Sequence, residues 1–195
     1  MMTSIRKTIL TASITLGLSI GPATMIAAQG PDAAIMAEEK AAMAQLAWMD
    51  GIWRGPAVTQ TPGGEHRVTQ TERIGPMLGG TIRVLEGKGF SPDGTTGFNA
   101  FAILSYDPGT KAFTLHSHAQ GRAGDFRLTP TGNGYVWEIP AGAITIRYTA
   151  TVTNGLWHEV GDRIIPGRDP QRFFEMTLTR IGETSWPAAD GPLPQ

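Results

Sequence analysis

From Gly51 onward the chain reads as an all-β protein: about ten strands in an antiparallel up-and-down β-barrel, with one N-terminal helix before it. Three observations predict this. Short segments rich in Val, Ile, Thr and aromatics follow one another along the chain. The 25 glycines and 14 prolines fall at spaced positions between those segments, as turns require, and not in one tract. The connections are too short for crossovers, so sequential strands must pair as hairpins, and about ten of them suffice to close a sheet and remove its edges.

The N-terminal residues read as a targeting segment. Arg6 and Lys7 are followed by a mostly apolar, uncharged run from Thr8 to Ile20, then Pro22 and the small pair Ala27-Ala28. A signal peptide over residues 1–28 is the reading, with cleavage after Ala28 and a periplasmic or secreted destination. The run is too short and too rich in Thr and Ser for a membrane span, so no span is expected in the mature chain. The sequence contains no cysteine, which excludes a lipoprotein anchor and leaves stability to the core. Removing residues 1–28 leaves 167 residues, enough for one domain with a real core. That remainder is mildly acidic and has no basic run to follow a phosphate backbone, so nucleic acid is not an expected partner.

Residues 29–50 form an alanine-rich stretch in which Ile35, Met36, Met43 and Leu46 mix with Glu38, Glu39 and Lys40, as a helix would have them. Asp32 is placed to cap it. The barrel is expected over residues 51–182, with strands near 52–60, 65–74, 81–87, 97–106, 111–119, 123–129, 135–139, 143–152, 156–165 and 171–180. A flexible tail is expected over 183–195.

Asn154-Gly155, between two alternating segments, predicts a two-residue type I′ turn and with it a register. Thr153 then faces Leu156, Val152 faces Trp157, Ala150 faces Glu159 and Arg147 faces Asp162, the last as a cross-strand ion pair. One side of this hairpin carries Ile144, Ile146, Tyr148, Ala150, Val152, Trp157 and Glu159 and is assigned to the interior. His158 falls on the outer side, away from any interior metal or haem. Glu159 is the informative residue, because a carboxylate among aromatics is costly unless paired, hydrogen-bonded, protonated or met by a ligand. In the last strand Phe174, Met176 and Leu178 share one face, with Phe173, Glu175, Thr177 and Thr179 on the other.

Gly51-Ile52-Trp53, opening the first strand just after a short helix, resembles the G-x-W start of the calycin superfamily, which includes lipocalins, fatty-acid-binding proteins and nitrobindins. The resemblance covers roughly Leu46 to Ile181. It extends to an uncharacterised bacterial lipocalin-like branch at Leu78-Gly79-Gly80, Ser105-Tyr106-Asp107-Pro108, Trp157 with Glu159, and Glu175-Met176 leading to Arg180. It implies that Trp53 packs across the closed barrel end, with Arg180 lying over it. Nitrobindin-like barrels hold haem through one C-terminal histidine. This sequence lacks that His-Leu pair, so haem is disfavoured and no cofactor is expected.

The resulting expectation is a binding protein whose lumen, lined by Tyr148, Trp157, Glu159, Phe113, Leu115, Phe174 and Met176, takes a small apolar or amphipathic molecule. The alternatives are an enzyme on the same fold, an isomerase or a metal-assisted hydrolase, or a structural envelope protein. His116 and His118, two apart on a strand, share a side and are weak metal candidates without a third ligand. After the expected signal peptide no G-x-S-x-G elbow exists, although Ser105 or Ser117 with His116 could form a dyad. The glycine-rich stretches lack the following helix and lysine of a phosphate loop.

Overall fold

The computed structural model describes residues 32–184 and 186. The expected signal peptide and the end of the expected tail, residues 187–195, lie outside the described residues. Helix α1 spans Ala33–Ala44, and Asp32 caps it by accepting from the Ala34 and Ile35 amides at 2.9 and 3.3 Å. The chain then tightens into a 3₁₀ turn over Ala47–Met49 and enters the sheet at once.

Ten strands follow: β1 Gly51–Thr61, β2 Gly64–Met77, β3 Ile82–Phe90, β4 Thr96–Asp107, β5 Ala112–Ala119, β6 Arg122–Pro130, β7 Gly134–Ala141, β8 Ile144–Thr153, β9 Leu156–Ile164 and β10 Gln171–Gly182. Each pairs antiparallel with its sequence neighbour, and β10 pairs with β1 to close the barrel. Closure satisfies the edge amides that an open sheet would leave unpaired. The β8–β9 hairpin has the expected register throughout, because Asn154 and Gly155 both take positive φ (54° and 74°), the twist that a two-residue turn between right-twisted strands needs.

One barrel end is shut by side chains from the helix and the turn after it. Met43, Leu46 and Met49 are buried together with Trp53, Ile74, Leu104, Trp157 and Leu178. Full burial of each such side chain contributes roughly 1.5–3 kcal/mol. Arg83, on the inner face of β3, fastens this lid: its guanidinium donates to both Asp50 carboxylate oxygens (2.8 and 3.1 Å) and to the Met43 carbonyl. Trp53 is buried beneath this lid, with its indole Nε1 donating to the Met49 carbonyl at 2.8 Å.

Three expectations need correction. Arg147 and Asp162 are ladder partners, but Arg147 pairs with Glu138 of β7 and Asp162 with Arg172 of β10, each at 2.7 Å. A bulge between Arg172 and Phe174 sets Arg172 opposite Asp162, and it also turns the Phe173 ring onto Tyr148, an interior residue, 5.9 Å away. Arg180 stands opposite Trp53 in the ladder, yet its guanidinium is held by the Asp50 carbonyl (3.1 Å) and Glu183 (2.7 Å) instead of the indole face. Beyond β10, Trp186 lies against Gly75, where a Cβ would come within 2.7 Å of the indole, and Arg73 stacks over its ring at 4.1 Å.

Candidate functional site

Strand alternation sends every second residue inward, and the inner wall divides into two levels. The closed half is packed solid. Trp53 and Trp157 meet edge to face at 5.6 Å, Trp48 stacks on Tyr135 at 5.9 Å, and Phe113, Leu115 and Met176 are buried in the same core. The open half is lined by rings that keep partial exposure: Phe126 tilts on Trp137 at 5.5 Å, Trp137 stacks flat on Tyr148 at 4.5 Å, and Tyr148 meets Phe174 at 5.9 Å. Glycines on the inner face make room for this ribbon. A Cβ at Gly161 would come within 2.9–3.1 Å of Tyr148, Phe174 and Phe173, and one at Gly124 within 2.7 Å of the Phe126 ring.

Between the levels sits a polar layer. Glu159, 6 % exposed, accepts a hydrogen bond from the Tyr135 hydroxyl at 2.5 Å. Across the barrel interior Glu72 accepts from the amide of buried Gln70 at 2.7 Å. Glu72 as a residue keeps some exposure, but its carboxyl is withdrawn from solvent, against the backbone of Gly87 where a Cβ would lie 2.8 Å from Oε1.

Burial dominates the electrostatics of this layer. It raises Glu72 to about 8, against the hydrogen bond from Gln70, and the neighbouring charge of Glu159 raises it further. Burial likewise raises Glu159 to about 7, while Tyr135 and the indoles of Trp137 and Trp157 favour its charged form. Trp157 Nε1 helps through proximity only, since it makes no hydrogen bond. The pair therefore titrates across neutral pH as a coupled unit. Burial also holds the Tyr135 hydroxyl well above its usual range and raises Tyr148 to about 12, so both stay protonated donors. Such a layer can accept a proton, give one up, or hold a polar or cationic group beneath an aromatic wall.

All seven lumen residues expected from the sequence face inward, but they split between the levels. Tyr148 and Phe174 belong to the open ring wall, Glu159 to the polar layer, and Trp157, Phe113, Leu115 and Met176 to the packed floor. Sequence reasoning missed Glu72, Gln70 and Tyr135. A usable signal existed for Glu72, because Pro62-Gly63 makes a two-residue loop with Thr61 opposite Gly64, and counting back along β1 and β2 sets Glu72 opposite Trp53.

His116, His118 and His158 lie on the outer wall. His158 bonds Glu175 at 2.9 Å, and His118 is exposed opposite Phe101. His116 is held between Ser105 and Asp125, not beside His118. Among the described residues no group of three His, Cys, Asp or Glu side chains is placed to hold a metal ion. Ser117 faces inward with Leu115 and Phe113, so of the two serines only Ser105 reaches His116.

No family model and no curated protein matches the sequence. Among solved structures, the chain is similar to Rv2717c from M. tuberculosis at 14% identity and TM-score 0.55, over 72% of this chain and 97% of that one. It is also similar to an S-type phycobiliprotein lyase, CPES, from Guillardia theta at 11% identity and TM-score 0.48, over 79% of this chain and all of that one. The likeness to Rv2717c is one of fold. At these identities the likeness extends to the backbone alone, so the site has to be read from its own side chains.

Proposed function

We propose that the protein is an exported carrier that binds a small amphipathic molecule inside the barrel, its apolar body against the ring wall and its polar end at Glu159 and Glu72. The observation that carries this reading is the buried carboxylate pair at the base of a partly exposed aromatic wall. A packed structural barrel has no use for two ionisable groups withdrawn from water, each costing several kcal/mol when charged and unpaired. Export is supported by Arg6-Lys7, the apolar run from Thr8 to Ile20 and the small residues at Ala27-Ala28.

Native mass spectrometry of protein from the host's exported fraction tests both parts. A mature mass that starts at Gln29 and a reproducible one-to-one organic adduct are expected. In vitro, the neutral probe N-phenyl-1-naphthylamine should bind one-to-one and quench the tryptophans. An adduct identified this way should bind Glu159→Gln about tenfold more weakly, near 1.4 kcal/mol, with the barrel still folded. An empty protein that also excludes the probe overturns the carrier reading.

A further inference from the structure

The outer wall carries a second arrangement, separate from the lumen. Ser105 on β4, His116 on β5 and Asp125 on β6 form one chain of hydrogen bonds: Ser105 Oγ lies 2.9 Å from His116 Nε2, and His116 Nδ1 lies 2.8 Å from Asp125 Oδ1. Two connections set this geometry. The loop after Asp107 makes Thr114 the ladder partner of Ser105, so His116 stands diagonally beside the serine on the same face. The Gln120-Gly121 turn, with φ of 50° and 76°, sets His116 directly opposite Asp125.

The partners fix the tautomer. The Asp125 carboxylate only accepts, so Nδ1 carries the ring proton and Nε2 presents its lone pair to the Ser105 hydroxyl. That is the order in which a serine is activated: a carboxylate holds the ring, and the ring takes the hydroxyl proton. Stability gives no strong reason for it, because His116 and Asp125 are 41% and 71% exposed and a surface pair contributes only about 0–1 kcal/mol.

We propose that Ser105, His116 and Asp125 form a nucleophilic site on the outside of the barrel that takes activated carboxylic esters with a short apolar acyl chain. Ile103 and exposed Phe101 continue along the same face of β4 from Ser105, toward a cleft of about 410 Å³ at the open end between the start of β4 and the β5–β6 turn. The acyl chain lies along that strip. Ser105 Oγ attacks the ester carbonyl carbon while its proton passes to His116 Nε2. The tetrahedral adduct then expels the alcohol or phenol, which takes the proton from Nε2, and leaves acyl-Ser105. Water attacks the acyl carbon with His116 again accepting the proton, and the carboxylic acid leaves as Ser105 recovers its hydrogen.

The strand amides around Ser105 belong to the sheet ladders, so no backbone pair is free to hold the oxyanion. The ladder places Thr114 across from Ser105 and Arg127 across from Thr114, and we assign these two side chains on the same face as donors to the developing charge. A missing backbone donor costs about 10²–10³ in rate, so the site favours substrates with good leaving groups.

The test is p-nitrophenyl butyrate with the full chain, read as p-nitrophenol release and as the acyl mass on tryptic peptides. A burst of one equivalent and a butyryl adduct on the peptide carrying Ser105 are expected. Ser105→Ala should abolish the burst and the adduct, His116→Gln should slow acylation at least 100-fold, and Asp125→Asn at least tenfold. All three residues are on the surface, and circular dichroism checks that each variant folds. Acylation of Ser105→Ala at the wild-type rate, or an adduct elsewhere, overturns the proposal without touching the lumen reading.

Discussion

Raising the pH should loosen this barrel, and Glu159 is where to look. A carboxyl whose folded pKa lies above its unfolded value binds protons more tightly in the native state. Its stabilising contribution is therefore fully present below the ordinary carboxyl pKa of 4.5 and is lost as pH rises through the folded value, about 7 for Glu159. Each pKa unit corresponds to about 1.4 kcal/mol, so Glu159 alone accounts for about 3 kcal/mol between pH 4.5 and 7. Against a typical domain stability of about 5–15 kcal/mol, that is a large fraction. Glu72, raised to about 8, extends the loss upward in pH, but the two shifts share one mutual repulsion and do not simply add. Urea denaturation at pH 5, 6, 7, 8 and 9 reads the effect. Comparing wild type with Glu159→Gln cancels the titrating groups that do not interact with Glu159, leaving only its own titration and its repulsion with Glu72, because the amide keeps an acceptor for the Tyr135 hydroxyl and cannot ionise. The variant should become the more stable protein above pH 7, by up to about 3 kcal/mol, and should match or trail wild type at pH 5. Parallel curves for the two proteins would refute the assignment of Glu159 as a buried, proton-holding carboxyl.

Gly87→Ala places a Cβ 2.8 Å from Glu72 Oε1 and should cost about 1–3 kcal/mol; Glu72→Ala in the same chain should recover most of that loss in urea melts. Arg83→Met removes the tether between β3, Asp50 and the end of the helix. Because Asp50 is partly exposed and can rehydrate, the loss should fall near 3 kcal/mol, the low end for a broken buried pair. Hydrogen exchange should show residues 33–49 opening before the strands, whereas uniform protection across helix and barrel would show that Arg83 does not hold the lid.

Much of the molecule was legible in the residues themselves. Alternation and turn chemistry are local, so the strand count, the helix capped by Asp32, the inward side of β8 and β9 and the outward turn of His158 could all be read directly. The meander made closure of β10 on β1 readable too, since each strand has only its sequence neighbours to pair with. Glu159 stood out as an inward carboxylate for the same reason. Tertiary structure decided what meets across the lumen and around the bulge. Tyr135 reaches Glu159 from two strands away, past Ala150, and Glu72 joins the polar layer from β2; no local pattern measures a distance across a barrel. Arg147 and Asp162 face one another in the register, yet each long side chain chose the partner on its other flank once the β10 bulge had moved Arg172. Ser105, His116 and Asp125 meet only because two separate connections add their registers, and a turn at Gln120-Gly121 unmarked by proline or asparagine set the second. Local sequence determines which face a side chain takes; only the closed sheet determines who stands beside it, because side-chain reach and loop geometry act after the strands are in place.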